Sequence, residues 1–214
     1  MLIGVFFVAR ITKALEFYTV AVPSNYPTLK EGQLLVASKL SKPERGKFLL
    51  YNAVNPDNGE KGIWIFRIIG MPGDVLEIRA GDVYLNGQRA KDSAFAQYMF
   101  YIHKDLFTRL QLEDEITKEQ VCYSPSDSAI VTLSLARLNE LKISGTRYIT
   151  AKGETLDEFE KVWKHRWNVD HFGQIKIPAG KYFVMGDNRH RALDSRFLGY
   201  VDEKDVVACV VGNY

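Results

Sequence analysis

Over residues 17–89 the apolar positions come in short runs bounded by proline, glycine and asparagine. Residues 17–22 (FYTVAV) are β-branched and aromatic, which predicts a strand, and Pro23 and then Pro27 break it. Further strands are predicted over 34–38, 48–51 and 63–69, separated by the polar turns 42–46 and 55–59. The 63–69 run (IWIFRII) reads as a buried strand that carries one arginine. Residues 71–74 turn the chain into a strand at 75–78, which pairs with 83–85 across Ala80-Gly81-Asp82. Short strands at this spacing predict a mostly β fold, a barrel or sandwich of antiparallel strands.

The period lengthens after Arg89. Residues 90–172 are more charged and read as more helical, with helical apolar spacing over 132–141 (TLSLARLNEL) and a short helix over 157–163. Strand character returns at 175–177, 182–185 and 206–211. The pattern therefore divides the chain into a leading segment 1–16, a β domain formed by 17–89 plus 173–214, and an inserted α+β subdomain 90–172. Residues 1–9 (MLIGVFFVA) are unbroken apolar and Arg10 ends the run. A bilayer crossing takes about 20 residues, and no small-residue cleavage site follows. Two readings stay open: a partial transmembrane segment whose first half precedes residue 1, or a short amphipathic, membrane-entering helix.

Composition narrows the function. With 46% hydrophobic and 25% charged residues among 214, the chain can bury a core. A formal charge of +2 with no strong basic run argues against a nucleic-acid partner. Cys122 and Cys209 lack the spacing of a metal or redox site, and read as two buried thiols.

Three segments carry candidate chemistry. The first, 22–29 (VPSNYPTL), sets Ser24 on a proline-bounded loop after a strand, where a rigid backbone can hold a nucleophile. The second, 66–74 (FRIIGMPGD), runs from a hydrophobic strand into a Pro-Gly-Asp turn. The third, 185–199 (MGDNRHRALDSRFLG), packs Asp187, Asn188, Arg189, Asp194, Ser195 and Arg196 between two strands. Such a density of acids and arginines suits an ionic network that holds a site in place.

In this order, the Ser-x-x-Pro-Thr segment, the Arg-x-x-Gly-x-Pro-Gly-Asp segment and the Gly-Asp-Asn-Arg…Asp-Ser-Arg segment are similar to the boxes of the type I signal peptidase family. The resemblance covers residues 1–89 and 173–214. It implies a membrane-anchored serine endopeptidase, with its bulk on the outer face of the plasma membrane, that removes signal peptides from exported polypeptides. It implies no metal or organic cofactor. The partners it implies are signal-peptide-bearing or other exported polypeptides and membrane lipid. Arg67, Gly70, Pro72, Gly73, Asp74, Gly186, Asp187, Asn188, Arg189, Asp194, Ser195 and Arg196 then support the site.

The same resemblance places Ser24 at the nucleophile and Phe66 where the family carries its lysine base, and a phenyl ring accepts no proton. The serine that hydrogen-bonds that lysine is matched by Ala192, and the hydroxyl donor to the oxyanion by Val22. An alternative alignment makes Ser24 the oxyanion donor and leaves no nucleophile. His190, inside the third box, is the best-placed substitute base. Lys61 lies five residues before Phe66, roughly 16 Å away along a strand and on its other face. Two functions follow as expectations: a serine endopeptidase of protein export using an unusual base, or an inactive relative that binds exported proteins or assists their assembly.

Overall fold

The computed structural model describes residues 14–91, 95–112, 121–122 and 127–213. The apolar run 1–9 lies outside them. No helix among the described residues is long and apolar enough to cross a membrane.

The first half of the chain is built of strands: β1 (Leu15–Thr19), β2 (Leu34–Ser38), β3 (Phe48–Val54), β4 (Lys61–Gly70), β5 (Val75–Arg79), β6 (Asp82–Leu85) and β7 (Gln88–Arg89). Then follow β8 (Gln97–His103), α1 (Lys104–Leu112), β9 (Val121–Cys122), β10 (Ser128–Ser134), α2 (Leu135–Glu140), β11 (Thr146–Arg147) and α3 (Asp157–Trp163). The chain closes with β12 (Phe172–Lys176), β13 (Lys181–Met185), α4 (Ser195–Leu198), β14 (Val201–Asp202) and β15 (Val206–Asn213).

Three antiparallel sheets result. The largest runs β1-β2-β15-β3-β4-β13-β14, so the last strand lies between the second and third. The second, β12-β5-β6-β7, is the hairpin predicted around Ala80-Gly81-Asp82 with residues 172–176 added to its edge. The third, β11-β8-β10-β9, is formed within residues 97–147. The fold is mostly β with short helices, as the strand pattern predicts.

One helical expectation is corrected. Residues 90–172 hold a four-stranded sheet beside α1, α2 and α3, and the helix expected over 132–141 begins only at Leu135. Ile130, Val131 and Thr132 are β-branched and pair along β8, from Ser128 opposite His103 to Ser134 opposite Gln97. Ser134 then caps α2 by accepting the Arg137 amide at 3.1 Å, which fixes the strand-to-helix boundary. The helix over 157–163 forms as expected. The first strand ends at Thr19 rather than residue 22, and the chain then enters the Ser24 turn.

One core lies within the third sheet, around Tyr98, Phe100, Ile102, Leu110, Val131 and Leu133. A second joins α3 to the β5–β6 hairpin and β13. In it Trp163 meets Phe172 and Tyr200 edge-on, each with ring centroids 5.0 Å apart. Trp163, Trp167 and Phe172 therefore pack inward. The Trp163 indole also donates to the Arg196 carbonyl at 2.7 Å, which anchors α3 to the third sequence segment.

Candidate functional site at the Ser24 cleft

The Ser24 turn is one 3₁₀ turn, Pro23–Asn25, entered from an extended Val22. Proline at its first position supplies the fixed φ and gives up an N–H that would have no partner there. The Tyr26 amide closes the turn on the Pro23 carbonyl at 3.1 Å, and the Leu29 amide reaches the Asn25 carbonyl at 2.9 Å. The Asn25 side chain donates to the Ile65 carbonyl at 2.6 Å and pins the turn to β4.

The third segment holds the turn from the other side. The Asn188 amide donates to the Ser24 carbonyl at 3.1 Å and its side-chain amide to the Pro23 carbonyl at 3.3 Å. The Ser24 hydroxyl donates to the Arg191 carbonyl at 3.4 Å. Gly186 shows how closely the three segments meet. A Cβ there would overlap the Ala192 methyl, stand 2.5 Å from the Ser24 carbonyl oxygen and 3.2 Å from the Phe66 ring. The first, second and third segments thus converge on one point.

Phe66 is buried on β4, opposite Leu49, in a cluster with Tyr51, Ile68, Val184, Ala192 and Cys209. Cys209 is free and buried. Beside Phe66 and Ser24 opens a cleft of about 370 Å³ lined by Thr19, Val20, Val22, Ile63, Ile65 and Leu193, among others. Among the described residues, none that lines it is an acid, lysine, arginine or histidine.

Around the cleft, the arginines and acids of the second and third segments pair in the interior. Arg67 grips Asp187 through Nε and Nη2 at 2.7 and 2.6 Å, donates to the Gly46 carbonyl at 2.6 Å, and lies between the Phe48 and Phe95 rings. Arg196 pairs with Asp194 at 2.9 and 2.8 Å and reaches the Arg189 carbonyl at 2.5 Å. Asp194 also accepts the Gly186 amide at 3.0 Å, while Ser195 Oγ accepts that of Val184 at 3.0 Å. Arg189 donates through Nε to the Gly186 carbonyl at 3.2 Å.

In the second segment, Gly70 ends β4 opposite Phe183, and the Met71–Asp74 turn containing Pro72 has Gly73 at φ +90. Asp74 accepts the Met71 amide, the Asn86 side chain and Arg45. Burial pushes its carboxyl up, but these donors outweigh burial and hold it below its usual range.

His190 is in the third segment but outside the cleft lining; its Nε2 is 3.5 Å from Asp170 and its ring meets Tyr148 edge-on. Lys61 is exposed at the start of β4. Several functional contacts come from residues that sequence reasoning passed over. Asn25 pins the turn, Gln97 bridges the Asp187 carbonyl and Arg189 amide, and Arg45 and Asn86 complete the Asp74 network. The only sequence signal for Asn25 is its place beside Ser24.

Comparison with known proteins shows the family. The whole chain, residues 1–214, matches the family described as "Signal peptidase, peptidase S26". Signal peptidase I of Bacillus licheniformis is 28% identical over 193 residues, covering 89% of this chain and 72% of that protein. Signal peptidase I P of Bacillus subtilis subsp. natto is 28% identical over 197 residues, covering 90% and 72%. Signal peptidase I of Buchnera aphidicola subsp. Baizongia pistaciae is 25% identical over 219 residues, covering 92% and 68%. Among solved structures, a signal peptidase I from Enterococcus faecalis V583 aligns with TM-score 0.39 and 21% identity, over 81% of this chain and all of that one. With the family match spanning every residue and its three segments meeting at one cleft, the chain belongs to the signal peptidase family, peptidase S26.

Proposed function

We propose that this chain is a non-catalytic signal peptidase relative that binds signal-peptide-bearing exported polypeptides in the Ser24 cleft. The observation that carries the reading is the surroundings of the Ser24 hydroxyl. Its hydrogen bond goes to a backbone carbonyl, that of Arg191, and among the described residues the cleft lining contains no ionisable base. An amide oxygen is too weak a base to deprotonate a serine. A general base is worth roughly 10²–10⁴ in rate, so cleavage falls by at least about 10³-fold relative to an intact relative once an oxyanion donor is also absent. Phe66 at the family's lysine position, with Ala192 beside it, supports the same reading.

Binding needs no nucleophile. Among the described residues β1 is an edge strand, and β4 pairs with β13 only from Arg67 onward, so residues 61–66 have β3 on one side. The cleft runs between the chain leaving β1 and this part of β4. An extended polypeptide can add its own backbone hydrogen bonds there. Val22 and Ile63, both exposed, line the same cleft. Exported substrates and the apolar run at 1–9 together favour anchoring at the membrane, with the cleft on its outer face.

Endopeptidase activity is the second reading, favoured by the Ser24 hydroxyl's position in the cleft lining on a turn held from both sides. One experiment separates the two: the full chain is mixed with a signal-peptide-bearing precursor, and both binding and cleavage are followed for wild type and Ser24→Ala. Equal binding by both proteins, with no cleavage by either, is the expected result. Cleavage at an ordinary enzymatic rate that disappears in Ser24→Ala would establish the protease instead.

A further inference from the structure

His190 occupies a pivotal place in the chain that the cleft chemistry leaves unused. It lies between Asn188, whose amide holds the Ser24 carbonyl, and Arg191, whose carbonyl accepts the Ser24 hydroxyl. The His190 side chain is 5% exposed and faces Asp170, which is 3% exposed, with Nε2 3.5 Å from both carboxylate oxygens. Nδ1 is buried and has no hydrogen-bond partner.

Asp170 is fixed independently of His190. Its Oδ2 accepts the Thr150 amide at 2.8 Å, its own amide donates to Asn168 Oδ1 at 3.0 Å, and its carbonyl accepts the Gly81 amide at 2.9 Å. The Asn168 side chain is tied in turn to the Ala151 and Glu154 carbonyls. Burial pushes the Asp170 carboxyl up, but His190 and the Thr150 amide outweigh burial and hold it below its usual range, so it is anionic at neutral pH.

The surrounding charges are otherwise engaged. Arg147 pairs with Asp82 at 2.8 Å and lies over the Tyr98 ring, while Arg189 donates to the Gly186 carbonyl and also faces Tyr98. Tyr148 covers the imidazole edge-on, with ring centroids 5.8 Å apart, and Arg191 is its neighbour in the chain. Among the described residues, the ion-pair partner of Asp170 is this imidazole.

We propose that His190 and Asp170 are positioning residues for the Ser24 cleft: a buried pair that ties residues 148–170 to the loop holding Ser24, so that the cleft's grip on a polypeptide depends on their contact. The proposal rests on the reading of the cleft as a polypeptide-binding site. A ring nitrogen facing a buried carboxylate that the Thr150 amide already fixes holds the backbone on either side of it. Removing either partner therefore slackens the loop at Asn188 and Arg191, and the grip weakens.

The test follows two readouts on the full chain: the backbone amide resonances of Ser24 and Asn188, and the binding of a fluorescent signal-peptide-bearing precursor. Wild type, His190→Gln, His190→Ala and Asp170→Asn are compared at one neutral pH. In His190→Ala and in Asp170→Asn the Ser24 and Asn188 resonances are expected to move from their wild-type positions. Affinity is expected to fall about threefold to tenfold in both, the scale of a charge-assisted hydrogen bond weakened in part. His190→Gln, which keeps a donor toward Asp170, should restore part of that loss.

Ser24 and Asn188 resonances that stay fixed in a folded His190→Ala or Asp170→Asn protein would overturn the proposal. So would a variant that loses thermal stability yet binds precursor with wild-type affinity. Should wild type bind no precursor, the binding reading of the cleft fails by itself, and the resonances of the unliganded proteins decide the His190 linkage. Where the alanine variant does not fold, the conservative His190→Gln and Asp170→Asn proteins decide it.

Discussion

Arg67 and Asp187 lie 120 residues apart in the chain and meet in the interior through two hydrogen bonds of 2.7 and 2.6 Å. The pair joins β4, which carries Phe66, to the loop that holds Ser24. Both charges are withdrawn from water, and the Asp187 side chain is fully buried. Asp187→Asn leaves a guanidinium without its counter-charge, and is expected to lower unfolding free energy by about 3–5 kcal/mol. Denaturant titration of the two proteins measures it.

Gly186 gives a second prediction, from sterics alone. A methyl group at this position overlaps Ala192 and stands 2.5 Å from the Ser24 carbonyl oxygen, an atom fixed by the Asn188 amide. Gly186→Ala should destabilise the fold by about 1–3 kcal/mol and weaken precursor binding, because the Ser24 turn must shift. Thermal unfolding and precursor affinity, taken together, test both halves.

The Phe66 environment sets up a gain-of-function experiment. Phe66→Lys combined with Ala192→Ser brings an amine and a hydroxyl into a buried apolar cluster near Ser24. Burial lowers an amine's pKa and favours its neutral, proton-accepting form. The double variant should be less stable than wild type by about 2–5 kcal/mol, from lost packing and a buried amine. It should also cleave a precursor at least about 10²-fold faster, the low end of what a general base supplies. Unchanged cleavage in a folded double variant would argue that Ser24 is the wrong hydroxyl.

Acid should weaken the fold through its carboxylates. Asp74 and Asp170 are both held below their ordinary range in the folded protein, by donors that outweigh burial. A depressed carboxyl contributes stability that is complete above its unfolded value of about 4 and is lost as pH falls through the lower folded value. The melting temperature should therefore drop as pH falls below about 4. Asp74→Asn should be less stable at neutral pH and show a shallower acid slope.

The sequence reveals most where a local rule acts alone. The strands at 34–38, 75–78 and 83–85 follow from short apolar runs between turn residues, and the helix at 157–163 from its own spacing. Residues 132–141 misled because leucines at helical spacing continue across a boundary that Ser134 and the pairing with β8 impose. No local pattern announces β8 as the partner. The ionic character of the third segment is legible in its composition, but which arginine grips which acid is not. Arg67 reaches across the fold to Asp187, while Arg196 turns back two residues to Asp194. The facing of His190 toward Asp170 depends on where residues 148–170 fold, and nothing near position 190 encodes that.

The place of β15 between β2 and β3 has a bearing on how the protein is born. β1 and β2 flank the Ser24 turn, β4 beside β3 carries Phe66, and the ladder between these two halves is completed by residues 206–213. A nascent chain emerging from the ribosome holds both halves early and must wait for this strand before their backbones are joined. Until then the strand edges of β2 and β3 stand open to any passing extended segment. Assembly of the cleft thus waits for residues 206–213, and a chaperone that shields those two edges would act in that interval.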